Sequence, residues 1–260
     1  MTTMGIYAEQ DGGVLTIKLD RPKVNAFDLP MVDALLAALA PAGKDDSVRC
    51  VVLTGSGRIF SAGQDIRDIQ EAREEIPYRD HLERTYNQVI RTLRAIEKPI
   101  IGAINGPAAG AGLGIALATD IRWASESASF TFGFTRIGLA ADSGTSIFLP
   151  MILGLSMASE FAFDGRTLTA EEAYRHGLVS RVFPDSELRP KAHEYATKLA
   201  AGPTRAIGLT KRAFNRTTLK SLDEALSYEA ILQEIAGRTA DHKEGVAAFL
   251  EKRPPSFSGA

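Results

Sequence analysis

Two short stretches of this chain are built to expose main-chain N–H groups. The run Ile104-Asn105-Gly106-Pro107-Ala108-Ala109-Gly110-Ala111-Gly112-Leu113-Gly114 places backbone with little side chain at the start of an apolar helix. A helix start carries unpaired N–H donors and the positive end of the peptide dipoles, so it suits a phosphate or the oxyanion of a reacting carbonyl. The turn Phe60-Ser61-Ala62-Gly63-Gln64-Asp65 follows the apolar run Cys50-Val51-Val52-Leu53 and supplies a second donor. Two convergent N–H groups make an oxyanion hole. Either turn by itself would equally serve close packing of a helix on a sheet.

The elements that must position these turns can be read from periodicity. Val14 to Leu19 alternates apolar and polar residues as a strand does. Asp28 is placed to cap a helix in which Met31, Val32, Leu35, Leu36 and Leu39 form the apolar stripe, with Pro41 and Gly43 ending it. Strand Cys50 to Thr54, a long polar helix from Tyr78 to Ile96 and strand Ile100 to Ile104 follow. Beyond the glycine-rich helix come short strands at Ile121 to Ala124 and Phe130 to Phe134, then a helix over Ser143 to Leu153. Thr169 and Glu172 form a capping box, and Gly177 ends that helix. After Pro184 only helices are predicted, over 190–201, 203–215, 222–237 and 241–249, with a loose tail from Pro254 to Gly259. Alternating units that give way to helices argue for an α/β core with a helical C-terminal piece.

Composition narrows the function classes. The 260 residues carry a formal charge of −2 with no basic block, which gives no support to nucleic-acid or membrane partners. The single cysteine, Cys50, lies in an apolar strand and reads as a buried thiol, with no disulfide framework and no zinc site. No secretory pattern opens the chain, and no apolar run reaches roughly eighteen residues, so a cytoplasmic protein is expected. His81, His176, His193 and His242 show no metal-ligand spacing and read as surface or helix-end residues. Ser61 and Ser143 have no histidine placed to activate them, which argues against a hydrolase triad. Asp120 and Trp123 read as structural.

The Phe-Ser-Ala-Gly-Gln-Asp turn and the Ala103-Ile104-Asn105-Gly106 run into a glycine-rich helix resemble the two signature segments of the crotonase superfamily, the enoyl-CoA hydratase/isomerase family. Asp20-Arg21-Pro22, Asn25-Ala26, Gly165-Arg166, Ala173 and Gly177-Leu178-Val179 extend the resemblance over nearly the whole length. The resemblance implies a spiral of strand-strand-helix repeats over residues 1–200 and a helical trimerisation subdomain over 201–260, assembled as a homotrimer or a dimer of trimers. It also implies an acyl-CoA substrate whose thioester oxygen accepts from the backbone N–H groups of Gln64 and Ala111, with no metal and no separate cofactor. Losing one such donor costs roughly a hundred- to a thousand-fold in rate. Relatives usually carry glycine where Ala111 stands. The CoA is expected along Val24 to Ala26 and along Gln64, Asp65, Ile66 and Arg67, where Arg67 could meet a phosphate.

The reaction depends on acids and bases, and here the chain departs from the hydratases. Where those enzymes carry two glutamates, this sequence has Gly114 and Arg136, so ordinary hydration lacks its general acid and base. Asp142 occupies the position at which several non-hydratase branches carry a working aspartate, although its place before Ser-Gly-Thr also suits a helix N-cap. An aspartate facing an apolar pocket has its pKa raised by desolvation and suits proton shuttling. The expected activity is therefore isomerisation of an enoyl-CoA or ring-containing acyl-CoA, with Asp142 moving the proton. Alternatives are a hydratase- or lyase-like member using another acid, or a non-catalytic acyl-CoA- or RNA-binding member. A 4-chlorobenzoyl-CoA dehalogenase-like enzyme is disfavoured, because Asn87 and Phe134 stand where that branch has a supporting histidine and tryptophan. Phe134 is expected to be a pocket or core aromatic.

Overall fold

The computed structural model describes residues 2–66 and 77–260. A seven-stranded sheet runs in the order β1-β2-β3-β4-β5-β7-β10, where β1 is Thr2–Thr3, β2 Ile6–Asp11, β3 Val14–Leu19, β4 Cys50–Gly55, β5 Ile100–Ile104, β7 Ile121–Ser125 and β10 Arg181–Phe183. From β3 onward the neighbours are parallel, which requires helical crossovers between them. A smaller sheet joins β6 (Ala108–Ala109), β8 (Ser129–Thr131) and β9 (Thr167–Thr169). The expected strand over Phe130 to Phe134 stops at Thr131, because Gly133 takes φ +79 and a 3₁₀ turn occupies Thr135–Ile137.

Strand alternation splits the interior in two. Leu15, Ile17, Leu19, Val51, Leu53, Ile100 and Ile104 face the larger core with the helix α1 (Leu29–Lys44), whose Asp28 accepts from Met31 N at 2.8 Å as its N-cap. Val14, Cys50, Val52, Ile101, Ala103 and Trp123 face a second core beneath the helix at Leu188–Ala200. Cys50 is fully buried, and burial pushes its thiol up to about 12. Asp120 is structural: it accepts from Ile100 N at 2.9 Å and pairs with Arg94 at 2.7 Å and Lys211 at 2.9 Å.

The helix expected over Tyr78 to Ile96 is two helices, α2 (Tyr78–Arg84) and α3 (Tyr86–Ala95), broken at Thr85, whose φ of −114° and ψ of −100° leave the helical region. After α4 (Ala111–Leu117), the helices α5 (Thr145–Leu153), α6 (Leu155–Asp164) and α7 (Ala170–Arg175) lead to α8 (Leu188–Ala200), α9 (Thr204–Thr218), α10 (Leu222–Gly237) and α11 (Ala240–Glu251). The Thr169–Glu172 capping box of α7 is present. The C-terminal tail is exposed but tied down: Ser256 N donates to Glu244, while Ser258 N and Gly259 N donate to Asp241.

His242 is buried rather than at the surface. Its Nδ1 lies 2.7 Å from Ile137 O and its Nε2 2.6 Å from the Tyr78 hydroxyl, tying α2 and α11 to the turn that leads toward Asp142. A hydrogen on Nδ1 leaves Nε2 to accept from the tyrosine, so the ring is held neutral, and burial lowers its pKa. The unfolded chain protonates its histidine near 6.5 and the folded chain resists, so this tie stabilises above about pH 6.5 and weakens as pH falls. His242→Gln is expected to lose roughly 1–3 kcal/mol at pH 7.5 by denaturant titration. The gap between His242→Gln and wild type should narrow at pH 5.5; a gap that widens contradicts the assignment.

Candidate active site

Two parallel bridges stitch the signature segments together. Phe27 pairs with Gln64 and Ser61 with Ala108. In the first bridge Phe27 N donates to Gly63 O at 2.7 Å and Asp65 N to Phe27 O at 2.8 Å, so the Gln64 N–H is left on the opposite edge. In the second, Ser61 N donates to Pro107 O at 3.1 Å and Ala109 N to Ser61 O at 3.0 Å. Gly63, at φ +87, presses so closely on the second segment that a Cβ there would lie 2.7 Å from Ala109 O and 3.2 Å from Ala111 N. Glycine is required on both counts. Ala111 is the first residue of α4, so its N–H has no intrahelical acceptor. Among the described residues neither the Gln64 nor the Ala111 N–H has a partner, and both belong to one junction.

The rest of the expected binding edge gathers beside it. Ala62 N donates to Val24 O at 3.0 Å, and Ser61 Oγ donates to Asn25 O at 2.8 Å. Arg21 donates to Ala26 O at 3.0 Å and pairs with Asp65 at 2.7 Å. Val24 is exposed and Ile66 half-buried, while Arg67 lies outside the described residues. The Gln64 side chain is gripped from the other side: its Oε1 accepts from the Tyr86 hydroxyl and lies 3.0 Å from His81 Nε2. His81 is thus half-buried at the site instead of free at the surface, brought there with Tyr86 by the break at Thr85.

Asp142 sits in the loop between the 3₁₀ turn and α5, 6% exposed. Its carboxylate does not cap α5. Gly144 holds the N-cap position, and Glu229 from α10 accepts from Gly144 N at 2.9 Å and Ser146 N at 2.8 Å. Asp142 Oδ1 accepts from Ser143 Oγ at 2.6 Å and Oδ2 from Gln233 Nε2 at 2.6 Å. Burial pushes its pKa up to about 7, the Glu229 charge adds to that, and the two donors pull the other way.

Gly114 brings the residue after Asp142 against the helix of the junction. A Cβ there would overlap both the Cβ and the carbonyl oxygen of Ser143. Gly114 lies three residues past Ala111, about 4.5 Å along a helix axis, so Ser143 packs on α4 about one turn from the open Ala111 N–H. Phe134 is buried, edge-on to Phe132 at 4.9 Å, with Gly110 against its ring. Arg136 is exposed and reaches toward Thr167 Oγ1 at 3.4 Å. Asn87 is buried and donates to Leu226 O at 3.2 Å. Among the described residues no three His, Cys, Asp or Glu side chains group as a metal site, and no helix is long and apolar enough to cross a membrane.

The sequence did not point to Glu229, Gln233 or Tyr86 as site residues, and it gave His81 no role there. Their only signal is polarity at positions of α2, α3 and α10 that the fold turns inward, and that pattern names no partner.

Known proteins share this fold and much of this sequence. The chain matches the family model Enoyl-CoA hydratase/isomerase over residues 9–260. It is 41% identical over 258 residues, 98% of each chain, to the 1,2-epoxyphenylacetyl-CoA isomerase of Escherichia coli (strain K12). It is 39% identical over 227 residues, 86% of this chain and 82% of the relative, to 4-chlorobenzoyl coenzyme A dehalogenase-2 of Arthrobacter sp.. A crystal structure of an enoyl-CoA hydratase from Mycobacterium avium subsp. paratuberculosis K-10 matches with a TM-score of 0.89 at 33% identity, covering 99% of this chain and 100% of that one. Fold, signature turns and sequence agree that this chain belongs to the enoyl-CoA hydratase/isomerase family of the crotonase superfamily.

Proposed function

We propose that this protein is an acyl-CoA isomerase that moves a double bond, or rearranges a ring, next to the thioester. The observation that carries this reading is the buried carboxylate of Asp142, packed through Ser143 against the helix whose first N–H is open. The N–H groups of Gln64 and Ala111 would hold the thioester oxygen and favour the enolate that forms when a proton leaves the α-carbon. Asp142, with its pKa near neutrality, takes that proton as a carboxylate and returns it to the γ-carbon as the acid. One group performs both steps, and no water is consumed. The CoA moiety would follow Val24 to Ala26 and Gln64 to Ile66, which the bridges draw to one edge. Exposed Phe214, Tyr228 and Ile235 on the C-terminal helices support association of copies of the chain.

Hydration is disfavoured on geometry as well as on composition. Ser143 fills the space that a side chain at Gly114 would need, and Arg136 is exposed and turned toward Thr167. The dehalogenase reading lacks its supporting pair, since Asn87 is tied to Leu226 O and Phe134 packs on Phe132.

Asp142→Asn is expected to lower turnover of a 3-enoyl-CoA by roughly 10²- to 10⁴-fold while leaving CoA affinity within about threefold. Surviving turnover would reassign the base. The wild-type kcat/KM should rise with pH through about 7, because the anion is the active base. Product formed in water enriched in oxygen-18 should carry no label; incorporation would make the enzyme a hydratase. Gly114→Ala should destabilise the fold by about 1–3 kcal/mol in denaturant titration, because Ser143 must move. An unchanged midpoint would contradict that packing.

A further inference from the structure

The loop that carries Asp142 is held at both ends by one face of α10. Glu229 and Gln233 are four residues apart, so they project from the same side of the helix, and both are buried at 1% and 0% exposure. Glu229 takes the Gly144 and Ser146 N–H groups at the downstream end. At the upstream end Gln233 Oε1 accepts from Ala140 N at 3.0 Å. That second bond fixes the orientation of the amide. Reversing it would set N–H against N–H at Ala140 and oxygen against oxygen at Asp142, so Nε2 is the atom that donates to Asp142 Oδ2.

Resting on the isomerase reading above, we infer that Gln233 is a positioning residue for the reaction. It holds the Asp142 carboxylate in one orientation and stabilises the anion that accepts the substrate proton, while Glu229 fixes the loop around it. Each Asp142 oxygen then has one donor, Ser143 Oγ on Oδ1 and Gln233 Nε2 on Oδ2. The remaining lone pairs are left for substrate hydrogen. The two α10 side chains act on the base with opposite sign, since an amide donor favours the anion and a carboxylate neighbour opposes it.

Among the described residues few other ionisable groups face this carboxylate. The sequences of α4 and α5 contain none. On α3, Arg91 is engaged by Glu83 and Asp223, and Arg94 by Asp120. On α11, His242 is engaged by Tyr78 and Ile137 O. Tyr86 and His81 turn toward Gln64, and Arg136 toward Thr167. Among the described residues Glu229 is therefore the charged neighbour whose titration must be considered beside the effect of Gln233.

The test is the pH dependence of kcat/KM for a 3-enoyl-CoA in Gln233→Met, which keeps the length of the side chain and removes the donor. The acid limb should move up by roughly half to one pH unit and kcat should fall, with KM changed less than about twofold. Gln233→Glu keeps an acceptor for Ala140 N and replaces the donor with an anion, so its limb should move further in the same direction. Ser143→Ala, which removes the donor on the other oxygen, should also move it upward. A direct readout is the infrared carbonyl band of protonated Asp142, taken as the difference from Asp142→Asn and followed against pH in the substrate-free protein. Limbs and infrared titrations that superimpose on wild type in both Gln233 variants, with Asp142→Asn inactive, overturn this inference alone. Turnover that survives Asp142→Asn overturns the base assignment, and this inference with it.

Discussion

The contact on which the site depends is the one between Gly63 and the backbone of Ala109 to Ala111. A side chain at Gly63 would meet the Ala109 carbonyl oxygen at 2.7 Å and force the two signature segments apart, and Gly112 meets Ser61 just as closely. Because glycine allows this approach, the Phe27–Gln64 and Ser61–Ala108 bridges can form together and leave the Gln64 and Ala111 N–H groups without partners among the described residues. Unpaired buried donors are costly, and a fold keeps them where a ligand supplies the acceptor. The strands β4 and β5 fix the position of this junction, since each signature segment follows one of those strands within a few residues.

Asp142 is governed by a balance of opposed forces. Removal from water disfavours its charge, Glu229 disfavours it further, and Ser143 and Gln233 favour it. The outcome near neutrality is what a group needs if it must both take and return a proton under one set of conditions. Had Asp142 capped α5, its oxygens would have been taken up by backbone donors and not left for substrate. Glu229 takes the capping role instead and leaves Asp142 for chemistry. The C-terminal helices therefore reach directly into the site, because α10 supplies that cap and the Gln233 amide.

Much of this was legible in the sequence where the determining contacts are local. Asp28 caps α1 and Thr169 caps α7 through bonds that span three residues. The turn around Gly63 and the helix start at Ala111 are written in glycine and alanine. What escaped the sequence involves partners far apart in the chain. Asp142 also suited a cap in the sequence because the partner that orients it, Gln233, is 91 residues away. His81 and His242 read as surface groups because their partners lie in other elements, 17 and 105 residues distant. The break at Thr85 escaped because no proline or glycine marks it; the backbone of a threonine leaves the helical region there.

The most direct test of the central claim is the carbonyl stretching frequency of an acyl-CoA bound to the protein, measured by isotope-edited infrared or Raman difference spectroscopy with ¹³C at the thioester carbonyl. Two convergent N–H donors polarise the C=O bond, so the band should shift to lower frequency relative to the same thioester in water. The shift should persist in Asp142→Asn, which leaves the donors in place. A band at its solution frequency would mean that the Gln64 and Ala111 N–H groups do not grip the thioester oxygen, and the account of the site would fail.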